Sequence, residues 1–295
     1  MKLEKMGIWF LAARPKTLTA SMAPVLVGTA VAVHLGYDAK WWIAGLALVS
    51  AIFIQIGTNL LNDVIDFQKG IDAEERLGPT RAAQSGLLSI QELTRGAVVS
   101  FGIAVLIAIP LIIHGGWPIL VIGLLSLLFG YTYSGGPYPL SSLGIAEVFV
   151  LLFFGWIAVV GTTYLHTGQW VIQSFWAGTQ VGLLSTVMLA INNLRDVTGD
   201  TKAGKKTLAV RFGIEFARIE IAFLSLFPFA LGYLWFSHGG FAATLFPFLT
   251  LPLAGLVVRG MLNNPPSPKH NRYLALASLL ALGFSVLLAG GLFLG

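Results

Sequence analysis

The chain has 295 residues, of which 56% are hydrophobic and only 11% charged, with a mean hydropathy of +0.81. Soluble globular domains carry about 25% charged residues, and a soluble fold of this length cannot hide so much apolar surface beneath a polar skin. The composition therefore excludes a soluble globular protein, a disordered chain and a nucleic-acid-binding module, and the net charge of +5 has to be read by location. There are no cysteines, so disulfides, thiolate metal sites and cysteine nucleophiles are excluded. Lys2, Lys5, Arg14 and Lys16 frame an apolar stretch too interrupted for a signal peptide.

A membrane-spanning helix needs about 20 apolar residues. Such runs are predicted near 17–36, 41–62, 96–113, 117–133, 143–165, 170–194, 214–237, 241–261 and 272–294. The expected fold class is all-α: a polytopic membrane protein with nine transmembrane helices around a central cavity, residues 1–295 forming one integral-membrane unit. Turn signals at Gly115-Gly116, Gly135-Gly136-Pro137, Gly239-Gly240 and Asn263-Asn264-Pro265-Pro266 mark several boundaries. Trp41, Trp42, Trp117 and Trp170 fall at span ends, where indoles anchor to the interface.

Nine spans place the termini on opposite sides of the membrane. With the N-terminus cytoplasmic, 17 of the 18 Lys and Arg residues fall inside, and only Lys40 falls outside. This asymmetry sets the orientation and supports the span count.

Of 31 charged residues, 20 lie in two stretches, 62–95 and 195–220, which follow the second and sixth spans; the connection 134–142 on the same side has none. The two stretches match. Asn59 precedes Asp63 by four residues, as Asn192 precedes Asp196; a Val follows each Asp, and a Lys stands six residues beyond it. Four spans separate them, so both would face one cavity from the same side.

Asp63 and Asp66 are spaced i, i+3, and Asp196 and Asp200 i, i+4, so on a helix each pair shares a face. Clustered carboxylates repel unless a cation neutralises them. Oxygen ligands without His or Cys select a hard ion, and Mg²⁺ is the usual one where phosphate completes the shell. Neighbouring Lys and Arg suit diphosphate oxygens. The plainer alternative is two solvated helix ends with incidental ion pairs.

At these residues the chain resembles the UbiA superfamily of intramembrane prenyltransferases. Asn62-Asp63-x-x-Asp66 and Asp196-x-x-x-Asp200 look like its two Asp-rich motifs. Within it, several stretches resemble the 1,4-dihydroxy-2-naphthoate polyprenyltransferases of menaquinone synthesis: Arg14-Pro15-Lys16-Thr17-Leu18, Lys69-Gly70-Ile71-Asp72, Phe153-Phe154-Gly155-Trp156, Ile191-Asn192-Asn193-Leu194-Arg195-Asp196 and Gly204-Lys205-Lys206-Thr207-Leu208. The resemblance runs from about residue 14 to 215. It implies nine helices around a cavity and Mg²⁺-dependent transfer of a prenyl chain from its diphosphate to dihydroxynaphthoate, with loss of pyrophosphate and CO₂. One departure stands out: where many members carry Tyr-x-x-x-Lys, Tyr131 is followed by Gly135.

The resemblance assigns Asp63, Asp66, Asp196 and Asp200 as catalytic Mg²⁺ ligands, with Asn59 and Asn192 in support and Asn62 and Asp72 as weaker candidates. Lys69, Arg81, Lys202 and Lys205 are diphosphate candidates. Arg14 or Lys16 would meet the acceptor carboxylate. Tyr131, Tyr133, Phe153, Phe154 and Trp156 offer faces to a carbocation. Glu147, inside the fifth span, is an intramembrane carboxylate with a role in the cavity or in a structural network. His34, His114, His166 and His238 fall at outer loops. The expected partners are the prenyl diphosphate, the aromatic acceptor and membrane lipids, with no nucleic acid. The expected location is a bacterial plasma membrane with the site near the cytoplasmic face. Competing readings are another acceptor or a phytyl donor within the superfamily, and a secondary transporter. The transporter reading fits poorly, because its site would lie at mid-membrane on broken helices.

Overall fold

A computed structural model describes residues 2–70, 77, 78 and 81–295. All regular structure among them is helical. Helix α1 (Lys2–Ala12) precedes nine longer helices: α2 (Pro15–His34), α3 (Trp41–Gln68), α4 (Ile90–Gly115), α5 (Trp117–Thr132), α6 (Ala146–Thr167), α7 (Ile172–Arg195), α8 (Leu208–Phe236), α9 (Phe241–Asn263) and α10 (His270–Leu294). Short helical turns Leu140–Leu143 and Val197–Lys202 lie in the connections.

Eight of the nine are long and apolar enough to cross a membrane. The exception is α5, whose 16 residues make about 24 Å of helix against a hydrocarbon core of about 30 Å. Large apolar side chains such as Val98, Leu106 and Ile113 on α4 stand exposed, as they do where the surrounding solvent is lipid.

Several spans run longer than their hydropathy suggests, all at one end of the bundle. α3 continues to Gln68 and carries Asp63 and Asp66 within its last turns, because polar side chains end an apolar run without ending a helix. α4 begins at Ile90 rather than 96, where Ser89 and Glu92 form a reciprocal capping box. α8 begins at Leu208 and kinks at Gly213, whose φ of 86° favours glycine.

α7 is the central helix, packed between α6 and α8 and against α2 and α10. The α6–α7 approach is closest at Gly155, where an added Cβ would lie 2.4 Å from the Gly178 carbonyl oxygen. Small residues permit this contact between membrane helices. The α6 backbone winds as a π-helix over Leu151–Ile157, which includes the same glycine.

α1 is too short and too charged to read as a span, and hydropathy gives no sign of it. Trp9 fills the space over Gly96, and Lys5 pairs with Glu92 at 2.8 Å, fixing α1 against α4. Arg14, in the left-handed region at φ 54°, turns the chain into α2, and Pro15 takes the first helical position.

Candidate active site

The C-terminal ends of α3, α5 and α7 and the N-terminal ends of α2 and α10 surround a cavity of about 1000 Å³. Both charged stretches line it: Asn62, Asp63, Asp66 and Arg81 from one, and Asn192, Asp196, Asp200, Lys202 and Lys205 from the other. Arg14, Lys16 and Tyr133 complete the polar wall, and Ile8, Leu11, Met188, Leu189 and Leu274 supply an apolar one. Asp72 lies outside the described residues.

The carboxylates are held in distinct ways. Asp66 pairs with Arg81 at 2.6 Å, both side chains nearly buried. Asp200 pairs with Lys205 at 3.0 Å. Asp63 accepts the Ala82 backbone N–H at 3.1 Å. Asp196 caps α7 and receives a two-pronged contact from Arg195, Nε at 2.8 Å and Nη2 at 2.6 Å. Among the described residues no three Asp, Glu or His side chains converge as a ready-made metal cluster. Basic side chains pair with Asp66, Asp196 and Asp200 instead.

The donor set nonetheless fits a hard cation. Its facing atoms are carboxylate and carboxamide oxygens, and Asn62 Oδ1 is buried without a hydrogen bond among the described residues. A buried acceptor left so is costly unless a donor or an ion meets it.

Seven expected site residues lie off the cavity wall. Asn59 donates to the Ala13 carbonyl and to Thr17 Oγ1, both at 2.9 Å, and accepts from Gln55 at 3.1 Å. It ties α3 to the α1–α2 corner, and Asn62 faces the cavity in its place. Lys69 Nζ donates to the Ser134 carbonyl at 2.7 Å, beside the position where Gly135 replaces the lysine common in the resembled family. Tyr131 is half exposed on the outer side of α5. Phe154 packs into the α7–α8 core. Glu147 is buried and bonded to Asn193. Of the aromatic candidates, Phe153 clusters with Phe129 and Phe149, and Trp156 bonds Thr179. Tyr133 alone of the five lines the cavity. Burial, followed by the Glu147 and Asp66 carboxylates, pushes its hydroxyl well above the ordinary value, so it stays protonated.

The uncharged connection 134–142 now has a physical reason. Its carbonyls and those beside it accept from the charged stretches: Ser134 from Lys69, Ser142 from the Lys206 backbone, and Leu143 from Arg211. A loop clamped through its backbone needs no charge of its own.

Sequence reasoning missed Arg195 as a structural hub. It is 2% exposed, and its third nitrogen donates to Asn271 Oδ1 at 2.6 Å. Asn271 in turn donates to the Leu77 carbonyl at 3.0 Å, so one α10 side chain links the two charged stretches. One histidine differs from the expectation too: His166 is a buried member of α6, bonded to Thr29.

The UbiA prenyltransferase family matches residues 21–280 of the chain. A 1,4-dihydroxy-2-naphthoate octaprenyltransferase of Escherichia coli is 35% identical over 274 residues, covering 88% of this chain and 85% of that protein. The fold is similar to an apo UbiA homologue from Aeropyrum pernix, with a TM-score of 0.70 at 16% identity over 95% of this chain and 98% of that one. It is also similar to a UbiA homologue from Archaeoglobus fulgidus bound to GPP and Mg²⁺, with a TM-score of 0.60 at 16% identity over 95% and 99%. The family match covers most of the chain, including both carboxylate stretches, and the chain belongs to the UbiA prenyltransferase family.

Proposed function

We propose that this integral-membrane prenyltransferase moves a polyprenyl group from its diphosphate to 1,4-dihydroxy-2-naphthoate, releasing pyrophosphate and CO₂ and giving demethylmenaquinol. The observation that carries the reading is one cavity in which two matched carboxylate stretches, each with its own basic partner, meet an apolar wall. The name of the Escherichia coli relative supports the choice of acceptor.

Asp63, Asp66, Asp196 and Asp200 would hold Mg²⁺, with Asn62 and Asn192 in support; when bound, the ion stabilises negative charge on the leaving diphosphate. The bound GPP and Mg²⁺ of the Archaeoglobus homologue support that pairing. Arg81, Lys202 and Lys205 bind diphosphate oxygens. Ile8, Leu11, Met188, Leu189 and Leu274 take the prenyl chain and exclude water from the allylic cation. The Tyr133 ring offers that cation a π face. Arg14 and Lys16 meet the acceptor carboxylate and turn the electron-rich ring toward the donor.

The distribution of Lys and Arg supports a cytoplasmic N-terminus, an outward C-terminus and a site near the cytoplasmic face of a bacterial plasma membrane. The test is an assay of membranes carrying the protein with labelled prenyl diphosphates of several lengths and a panel of aromatic acids, with and without EDTA. Turnover of dihydroxynaphthoate that EDTA abolishes is expected. Turnover of hydroxybenzoate or homogentisate without dihydroxynaphthoate would overturn the reading.

A further inference from the structure

Glu147 is the only acidic residue between Glu92 and Asp196, and the prenyl-transfer reading leaves it without a task. It stands in the first turn of α6 and is 6% exposed. Its Oε1 accepts a hydrogen bond of 2.7 Å from Asn193 Nδ2 on α7. A carboxylate buried among apolar helices is costly, and here it serves to hold one amide.

Asn193 also lines the cavity. A carboxamide has a donor end and an acceptor end. With the donor end on Glu147, the plane of the amide is set, and no hydrogen bond reaches Oδ1 among the described residues. The cavity thus contains an acceptor oxygen of set orientation to which a donor can bind. The two substrates differ on this point. A prenyl diphosphate brings oxygens that accept and a chain that does neither, whereas a hydroxylated aromatic ring brings phenolic O–H donors. Asn193 stands three residues before Asp196, so the two side chains lie on one face of the helix end, within about 6 Å at Cβ. A ring held at Asn193 lies beside the carboxylate that serves the leaving group.

We propose that Asn193 binds a ring hydroxyl of the aromatic acceptor, and that Glu147 is the positioning residue that orients its amide. This rests on the prenyl-transfer reading above.

The test uses the purified full-length enzyme in detergent or nanodiscs, with donor, acceptor and Mg²⁺ varied separately. Asn193→Leu and Glu147→Leu are each expected to raise the acceptor KM about tenfold, the worth of one hydrogen bond. The donor KM and the Mg²⁺ half-saturation should stay within about twofold. Glu147→Gln keeps an oxygen that can accept from Asn193 and should bring the acceptor KM back within about threefold of the parent. An acceptor KM unmoved in Asn193→Leu overturns the inference. So does a rise in Mg²⁺ requirement or donor KM of the same size, which would place Asn193 with the metal or in a purely structural role.

If the leucine variants do not accumulate, the unaltered enzyme carries the test with 1-hydroxy-2-naphthoate and 4-hydroxy-2-naphthoate as competing ligands. One of them should bind about tenfold more weakly than the dihydroxy acid. Equal binding of all three overturns the inference. Turnover of dihydroxynaphthoate by the unaltered enzyme is the control. Its absence would sink the underlying reading, whereas turnover with an unmoved acceptor KM would sink only the role of Asn193.

Discussion

Replacing Arg195 with lysine isolates what the buried guanidinium does for Asp196. Arg195 makes three short contacts, two to Asp196 at 2.8 and 2.6 Å and one to Asn271 at 2.6 Å. A lysine keeps the charge but not the planar fork, and its ammonium can hold one of the three partners well. Two hydrogen bonds to charged groups are then lost, each worth roughly 1.5–3 kcal/mol net when buried. The Asp196 side chain is 25% exposed, so water replaces part of the loss, and halving the sum leaves about 2 kcal/mol. If Asp196 must be held to act, that loss appears as a fall of roughly 30-fold in kcat/KM, with a raised Mg²⁺ half-saturation. The assay is pyrophosphate release by purified Arg195→Lys, normalised to the folded fraction from thermal unfolding, because a buried change also lowers stability. Activity within about threefold of the parent per folded molecule would show that the fork does not position Asp196.

Asp66→Ala and Asp196→Ala should each abolish Mg²⁺-dependent pyrophosphate release while the protein still inserts in membranes, as judged by fractionation. Gly155→Ala forces a Cβ to within 2.4 Å of the Gly178 carbonyl. It should destabilise the bundle by about 1–3 kcal/mol, read as a lower unfolding midpoint in detergent with substrate KM values unchanged. Lys69→Met releases the Ser134 carbonyl and should cost about fivefold in kcat/KM through the loosened 134–142 connection; a loss beyond a hundredfold would put Lys69 on the diphosphate itself. Tyr133→Phe should leave the pH profile of kcat/KM unchanged up to about pH 10, because a hydroxyl whose pKa is raised by burial stays neutral across that range.

The membrane class, the spans and the two carboxylate stretches were legible because each rests on local composition. Charge is scarce in lipid, so its concentration in 62–95 and 195–220 is enough by itself to single out the two stretches that line the cavity. Helix periodicity also brought Asp63 and Asp66 correctly to one wall. What spacing could not say was which way a given amide points. Asn59 and Asn62 both stand within a turn of Asp63, and only packing against the α1–α2 corner assigns Asn59 to structure and Asn62 to the cavity. The Arg195–Asn271 contact joins residues 76 apart in sequence, and nothing local announces it. α1 escaped notice because 11 residues with charges among them fall short of a span. The close approach at Gly155 depends on which face α7 turns toward α6, which the glycine alone does not reveal.

The most direct test follows the carboxyl carbon of the acceptor. Purified enzyme is supplied with Mg²⁺, a polyprenyl diphosphate and 1,4-dihydroxy-2-naphthoate labelled in its carboxyl group, and CO₂, pyrophosphate and prenylated product are counted together. The account predicts the three in equal amounts from the unaltered enzyme and none from Asp66→Ala or Asp196→Ala. Prenylated product that keeps its carboxyl label, or release that persists undiminished in both variants, would contradict it.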